Sequence, residues 1–498
     1  MKRSVWVVVV VVFALALGFR LPKLGNRPFH ADEAVHAVKF RELWETGHYR
    51  YDPNEFHGPT IYYAALPSIA ASGHTTFRQL DEADFRLAIA LVGAALAPLL
   101  MLLRTRLGAA PTLWAGLFFA LSPAFVFYSR YFIQEVFLVV FTVLLLAFAN
   151  RKQPLWAGLM AGLMLATKET AVLTFCAATV AWLVARGGVR NLPWRGIGLG
   201  TAVAVAISYT VLSGFFSNLA GPLGYFKTYT PWLQRAGGGG EALHAHPWRD
   251  YLERYFWHPV PGKTLWTEGF LLALALIGGV HGWRTPHGRF LVVFSLLLTA
   301  GYTVIPYKTP WCGLNFLAPV IVLAGMGAAG LMERVRGIGG KVAIAAALLA
   351  GSAHLAWLSY QTSFVHFNDI KNPYVYSATL PDTITLKKLI DGLAETSPEG
   401  NKMVVKVVSR DGYYWPLPWY LRKLDNVGYY VGALPDDPTA PVLLASPRYE
   451  EALHEKLPNH RILGLHGLRL GVFYELFVQK DLWESYRKTH PAGDDEDE

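Results

Sequence analysis

Five short clusters of ionisable residues, set far apart in an apolar chain, have types and spacings suited to group transfer. The first is Phe29-His30-Ala31-Asp32-Glu33-Ala34-Val35-His36. Two adjacent carboxylates offer a general base for a hydroxyl or amine. On a helix Asp32 and His36 share a face at i, i+4, while Glu33 points elsewhere. An acid in a first helical turn also complements the dipole, so the motif alone serves either purpose. The second cluster is Phe56-His57-Gly58-Pro59-Thr60. Gly-Pro closes a loop and opens a helix, which puts His57 beside free N–H groups, a setting for an anion or a metal. The third is Tyr128-Ser129-Arg130-Tyr131-Phe132-Ile133-Gln134-Glu135, where an acid enters an apolar run with Arg130 as a candidate partner. The last two are Thr167-Lys168-Glu169-Thr170 and Pro306-Tyr307-Lys308-Thr309-Pro310-Trp311. Each puts a lysine at the end of an apolar run, where an ammonium suits a phosphate or pyrophosphate. Snorkelling is the simpler reading of each lysine taken singly.

These clusters need elements to hold them, and the elements are membrane spans. The chain has 498 residues, 53% hydrophobic and only 16% charged, against about 25% in soluble domains. The apolar excess falls in runs near 5–21, 87–103, 112–128, 131–149, 154–167, 170–185, 196–213, 267–283, 290–305, 313–332 and 342–360. Most approach the ~20 residues that cross a bilayer as a helix. The run from Val5 to Phe19 reads as a retained first helix rather than a cleaved signal peptide.

The polar segments between runs alternate in character. Lys2 and Arg3, Arg104 and Arg106, Arg151 and Lys152, Arg186, Arg190 and Arg195, Arg284 and Arg289, and Arg334, Arg336 and Lys341 fall on one side, with Glu333 the single acid among them. Basic loops stay cytoplasmic, so the N-terminus is expected inside and the C-terminal region outside. The outer segments are then 22–86, 129–130, 168–169, 214–266, 306–312 and 361–498. All five clusters lie on that outer side or at its boundary.

The sequence divides into a transmembrane domain at 1–360, with a first outer loop at 22–86 and a large aromatic outer loop at 214–266. A soluble α/β domain is expected at 361–490, followed by an acidic, disordered tail at 491–498. Strands are read at Met403 to Val408, Val442 to Ala445 and Leu470 to Val478, and helices at Thr383 to Glu395 and Tyr449 to Lys456. The formal charge of +9 is explained by loops resting on anionic membrane lipid; no basic stripe suits nucleic acid. Cys176 and Cys312 form neither a zinc site nor a disulfide framework and read as small packing residues. No Walker loop, HExxH or nucleophile elbow is present. Acids, an imidazole and phosphate-matching cations on one face point to a lipid-linked phosphate whose tail lies in the bilayer. Rival readings are a non-catalytic partner or translocator of lipid-linked sugars, and an anchored receptor that binds through its α/β tail.

The stretches HADEAVHA, FHGPTIYY, YSRYFIQE, LATKET, YKTPWCGLN and YYWPLPWYLR resemble the GT-C membrane glycosyltransferases. The similarity is to the branch of protein O-mannosyltransferases and aminoarabinose transferases, and more closely to the prokaryotic flippase-activity-associated family. It covers about residues 20–430. The resemblance implies a polytopic helical GT-C fold of about 11 spans and inverting transfer from a polyprenyl-phosphate sugar to a protein, lipid or glycan acceptor. It casts Asp32 as general base with Glu33 beside it, and Glu135 as the second acidic position. Lys168 and Lys308 fall where relatives contact donor phosphate; with His36, His57, Arg130 and Glu135, read from the clusters themselves, they make up the expected substrate-binding set. Aminoarabinose transferases carry Glu-Lys-Pro where this chain has His57-Gly58-Pro59. No cofactor is implied as required; a divalent metal is compatible, with Asp32, His57 and Glu135 as candidate ligands. The expected location is the cell membrane.

Overall fold

The computed structural model describes residues 3–53, 57–188, 192–239, 244–260 and 265–490. The expectations made for Lys2, Phe56, Arg190 and the acidic tail at 491–498 lie outside those residues. The chain forms two compact units. One comprises Met1–Leu24, Glu42–His74 and Ala83–Tyr376, and the other Gly25–Arg41, Thr75–Glu82 and Ser377–Glu498.

The first unit is helical. Among the described residues, 6 helices are long and apolar enough to cross a bilayer: Arg3–Arg20, Glu82–Leu107, Trp194–Leu212, Pro286–Val304, Pro310–Arg334 and Ile338–Val365. Shorter apolar helices, Ala109–Leu121, Glu135–Asn150, Pro154–Leu165, Ala171–Arg186 and Gly269–Gly282, fall on the remaining expected runs. Many apolar side chains on these helices face outward, among them Val10, Val205, Val280, Leu296 and Leu349. Water would not tolerate so much exposed apolar surface, whereas lipid does. The chain is a multi-pass membrane protein.

Two runs differ from their expected extents. The run at 112–128 breaks into Ala109–Leu121 and Pro123–Tyr128, because Ser122 precedes a proline and is extended, with ψ 121°. The run at 131–149 becomes α-helix only at Glu135, after a tight turn through 129–134. That turn keeps Glu135 in the first helical turn. Helix pairs pack through small residues: a Cβ on Gly327 would fall 2.0 Å from the Leu274 carbonyl oxygen, so Gly269–Gly282 and Leu314–Arg334 meet backbone to backbone.

The second unit is an α/β domain around a five-stranded sheet of order β2-β1-β3-β5-β4. The strands are β1 Val404–Ser409, β2 Asn426–Val431, β3 Val442–Ala445, β4 His460–Arg469 and β5 Val472–Gln479. β1 pairs in parallel with β2 and β3, and β5 runs antiparallel to β3 and β4. The helix Asp382–Thr396 and the helix Lys480–Thr489 cover one face through Leu386, Ile390, Leu393 and Leu482 against Val405, Val407, Leu444 and Leu476. The helix Glu450–Lys456 covers the other through Leu453, against Val408, Leu443 and Phe477. The three strands read from sequence are present; β2 and β4 are additional, and both are edges.

This unit also holds the first acidic cluster. Trp419 and Tyr420, from the YYWPLPWYLR stretch, seat it. The Tyr420 hydroxyl accepts from the Phe29 N–H at 2.8 Å, and the Thr379 hydroxyl donates to the Phe29 carbonyl at 2.6 Å. The Phe29 and Trp419 rings lie 4.9 Å apart, and the Trp419 indole N–H donates to Glu82 at 3.1 Å.

Candidate functional site

The adjacent acids Asp32 and Glu33 open the helix Ala31–Thr46. A helix start leaves N–H groups without intrahelical partners, and residues at its N-terminus satisfy them. Here His30 and Glu33 do so reciprocally. The His30 Nδ1 accepts from the Asp32 N–H at 3.1 Å, and the Glu33 carboxylate accepts from the His30 N–H at 3.0 Å. This is a capping box with an imidazole in place of the usual hydroxyl. Glu33 also pairs with Arg27 at 3.0 Å and is fully buried. Burial lowers the His30 pKa, against the opposing pull of Asp32 and Glu33, and so keeps Nδ1 an acceptor. Glu33 and His30 therefore complete the helix end, while the Asp32 side chain stands 51% exposed. His36, one turn on, is buried.

In the helical unit the other clusters converge by pairs. Glu135 is buried and forms an ion pair with Lys168. Cys312 joins them, its thiol 3.5 Å from Glu135 Oε1 and 3.7 Å from Lys168 Nζ. The second carboxylate oxygen of Glu135 is buried without a hydrogen-bond partner. The partner of Glu135 is thus Lys168 rather than Arg130. The Arg130 guanidinium instead donates to the carbonyls of Arg20, Pro22 and Lys23, at 2.8, 2.7 and 3.1 Å, and lies over the Phe364 ring. Those are carbonyls at the end of the first span, where a cation complements the helix dipole.

The residue after Lys168 was missed as a participant. The Glu169 carboxylate is buried and lies 2.8 Å from His57 Nδ1. The pairing is built by the backbone. A Cβ on Gly58 would fall 2.0 Å from the Ala166 carbonyl oxygen, so only glycine lets the loop approach so closely. The Thr60 hydroxyl donates to the same carbonyl at 2.8 Å. Burial pushes the Glu169 carboxyl up, yet the His57 ring, its hydrogen bond and Lys168 together bring it below the usual carboxylate range. Lys308 is buried, and its ammonium donates to the carbonyls of His246, at 3.3 Å, and Ile305. Carbonyls leave its charge un-neutralised, unlike that of Lys168.

Glu268 is a further buried acid that the motifs passed over. It accepts from the Ser122 hydroxyl at 2.6 Å, the Ala124 N–H at 2.9 Å and the Tyr374 hydroxyl at 2.9 Å, clamping the break at Ser122-Pro123. An ionisable residue beside an apolar run was the available signal, as for Glu135. Among the described residues, no three His, Cys, Asp or Glu side chains gather to hold a metal ion. Of the candidate ligands, Glu135 is engaged by Lys168 and His57 by Glu169. Among the described residues, the donor set does not fit a resident metal.

Comparison with known proteins gives a consistent picture. A family model described as dolichyl-phosphate-mannose-protein mannosyltransferase matches residues 67–213. No curated protein matches the chain. Among solved structures, the chain is similar to ArnT from Cupriavidus metallidurans bound to undecaprenyl phosphate, at 17% identity and TM-score 0.65 over 97% of this chain and 99% of that one. It is also similar to the Archaeoglobus fulgidus oligosaccharyltransferase tethered with an acceptor peptide, at 11% identity and TM-score 0.57 over 97% and 77%. The same oligosaccharyltransferase has been solved with Zn and sulfate, at TM-score 0.53. Helical membrane unit, appended sheet domain and matched structures together give this chain the fold of the GT-C membrane glycosyltransferases.

Proposed function

We propose that this chain is an integral membrane glycosyltransferase that moves a sugar from a polyprenyl-phosphate donor to an acceptor hydroxyl or amine at the extracytoplasmic face. The fold supports the reaction class, and ArnT, at 17% identity, was solved with undecaprenyl phosphate bound. The observation that carries the assignment of the base is the sorting of the two adjacent acids. Glu33 is used up by the helix cap and Arg27, whereas Asp32 presents an exposed carboxylate on a rigid helix start. A base must reach the proton it takes, which favours the exposed carboxylate over the buried, paired one.

In this reading Asp32 takes the proton of the acceptor as its oxygen or nitrogen bonds to the anomeric carbon. The bond from that carbon to the phosphate oxygen breaks on the opposite face, inverting the centre and releasing polyprenyl phosphate. A cation at the phosphate stabilises the departing charge. The basic loops favour a cytoplasmic N-terminus, with the sheet domain and Asp32 outside. Asp32→Asn keeps the shape of the helix start and removes the base. It is expected to lower transfer about 10²–10⁴-fold in a reconstituted assay with a polyprenyl-phosphate sugar, with insertion and thermal midpoint unchanged. Normal turnover by that variant would exclude Asp32 as base.

A further inference from the structure

Four cation-capable side chains of the helical unit stand out in the sequence, and three are buried and engaged. Lys168 is 7% exposed and paired with Glu135. Lys308 is 1% exposed and hydrogen-bonded to carbonyls. Arg130 holds the carbonyls that end the first span. His57 differs: its side chain is 37% exposed, with Nδ1 fixed by Glu169. We propose that the imidazole of His57 is the group that grips the phosphate of the donor, through Nε2–H, with Glu169 as its positioning residue. This rests on the donor class proposed above and assigns its charged group to a residue pair.

The pairing dictates how the grip is built. A carboxylate at Nδ1 holds a proton on that nitrogen and leaves Nε2 as the ring atom turned away from Glu169. A protonated Nε2 is a charge-assisted donor to a phosphate oxygen. The groups facing this pair are Glu169 itself, Lys168 beside it, and the hydroxyls of Tyr51, Tyr225 and Tyr229, which interact with Glu169. Lys168 is held by Glu135, so the half-exposed imidazole is the group of this set presented to an anion.

The test is equilibrium binding to the full-length protein in neutral-lipid nanodiscs. The probes are polyprenyl phosphate, inorganic phosphate and phosphatidic acid. His57→Gln is expected to lose about tenfold in affinity for polyprenyl phosphate, and His57→Lys to restore it. Glu169→Gln weakens binding in the parent and leaves it unchanged in His57→Lys, whose ammonium does not depend on an orienting carboxylate. Competition by inorganic phosphate supports the proposal, since the phosphate is then what His57 reads. Equal binding of phosphatidic acid would assign the site to bulk anionic lipid and overturn it. So would unchanged affinity in His57→Gln, or a well-folded His57→Lys that fails to restore it. If the parent binds no phosphate, the donor class falls as well; phosphate binding untouched at His57 removes this inference alone.

Discussion

Two dipeptides, Asp32-Glu33 in the sheet unit and Lys168-Glu169 in the helical unit, each place two ionisable residues side by side and send them to different ends. In the first, Glu33 is buried against the helix cap and Arg27, and Asp32 is left exposed. In the second, Lys168 is buried against Glu135, and Glu169 is turned to the half-exposed His57. The difference lies in where the partners come from. Glu33 finds its partners 3 and 6 residues away, whereas Lys168 and Glu169 find theirs 33 and 112 residues away. A locally determined arrangement survives small changes elsewhere; a long-range one holds two loops together and fails with either.

The comparison can be broken most severely at Asp32, where the asparagine variant should lower transfer about 10²–10⁴-fold while leaving the fold intact. Next is the Lys168–Glu135 pair. Removing one member leaves a buried charge alone, so Lys168→Met is expected to cost about 3–5 kcal/mol of stability. The double replacement Lys168→Met with Glu135→Leu should recover most of that loss, read as thermal midpoints in detergent. Recovery of stability without recovery of transfer would show that the pair also serves the reaction. Glu33→Gln should be milder, about 1–3 kcal/mol, with transfer reduced only as the helix start loosens. A loss of transfer as large as that of Asp32→Asn at unchanged stability would reverse the roles assigned to the two acids.

The smallest effect is in pH. Burial depresses the His30 pKa below its unfolded value of about 6.5, so its cap contributes fully above that value. The contribution is lost as pH falls through the folded pKa, because protonation removes the acceptor at Nδ1. The parent's thermal midpoint should therefore drop between neutral pH and about 5, and His30→Asn, a cap that does not titrate in this range, should flatten that part of the slope. An unchanged slope in that variant would remove His30 from the account.

What could be read from the sequence follows the same division between local and distant. Spans, the clusters of ionisable residues and the helix opening at Ala31 depend on composition and near neighbours, and they stood out. The break at Ser122-Pro123 was also written locally, in the proline, though the apolar run masked it. The strands β2 and β4 escaped because edge strands are half solvated: β2 carries no fully buried position, so no apolar run marks it. Glu169 escaped because its meaning depends on His57, and Glu268 because its three donors come from Ser122, Ala124 and Tyr374. The engagement of Lys168 and Lys308 was likewise invisible, since nothing near either lysine in the chain names its partners.

The bonds from Phe29 to Tyr420 and Thr379 carry a consequence for biogenesis. The acidic loop leaves the ribosome early, but the side chains that seat it are synthesised 391 and 350 residues later. Until then the apolar helices emerge with the acidic loop unseated. A chain ending just before Thr379 would keep all the apolar helices and lack both side chains that seat Phe29.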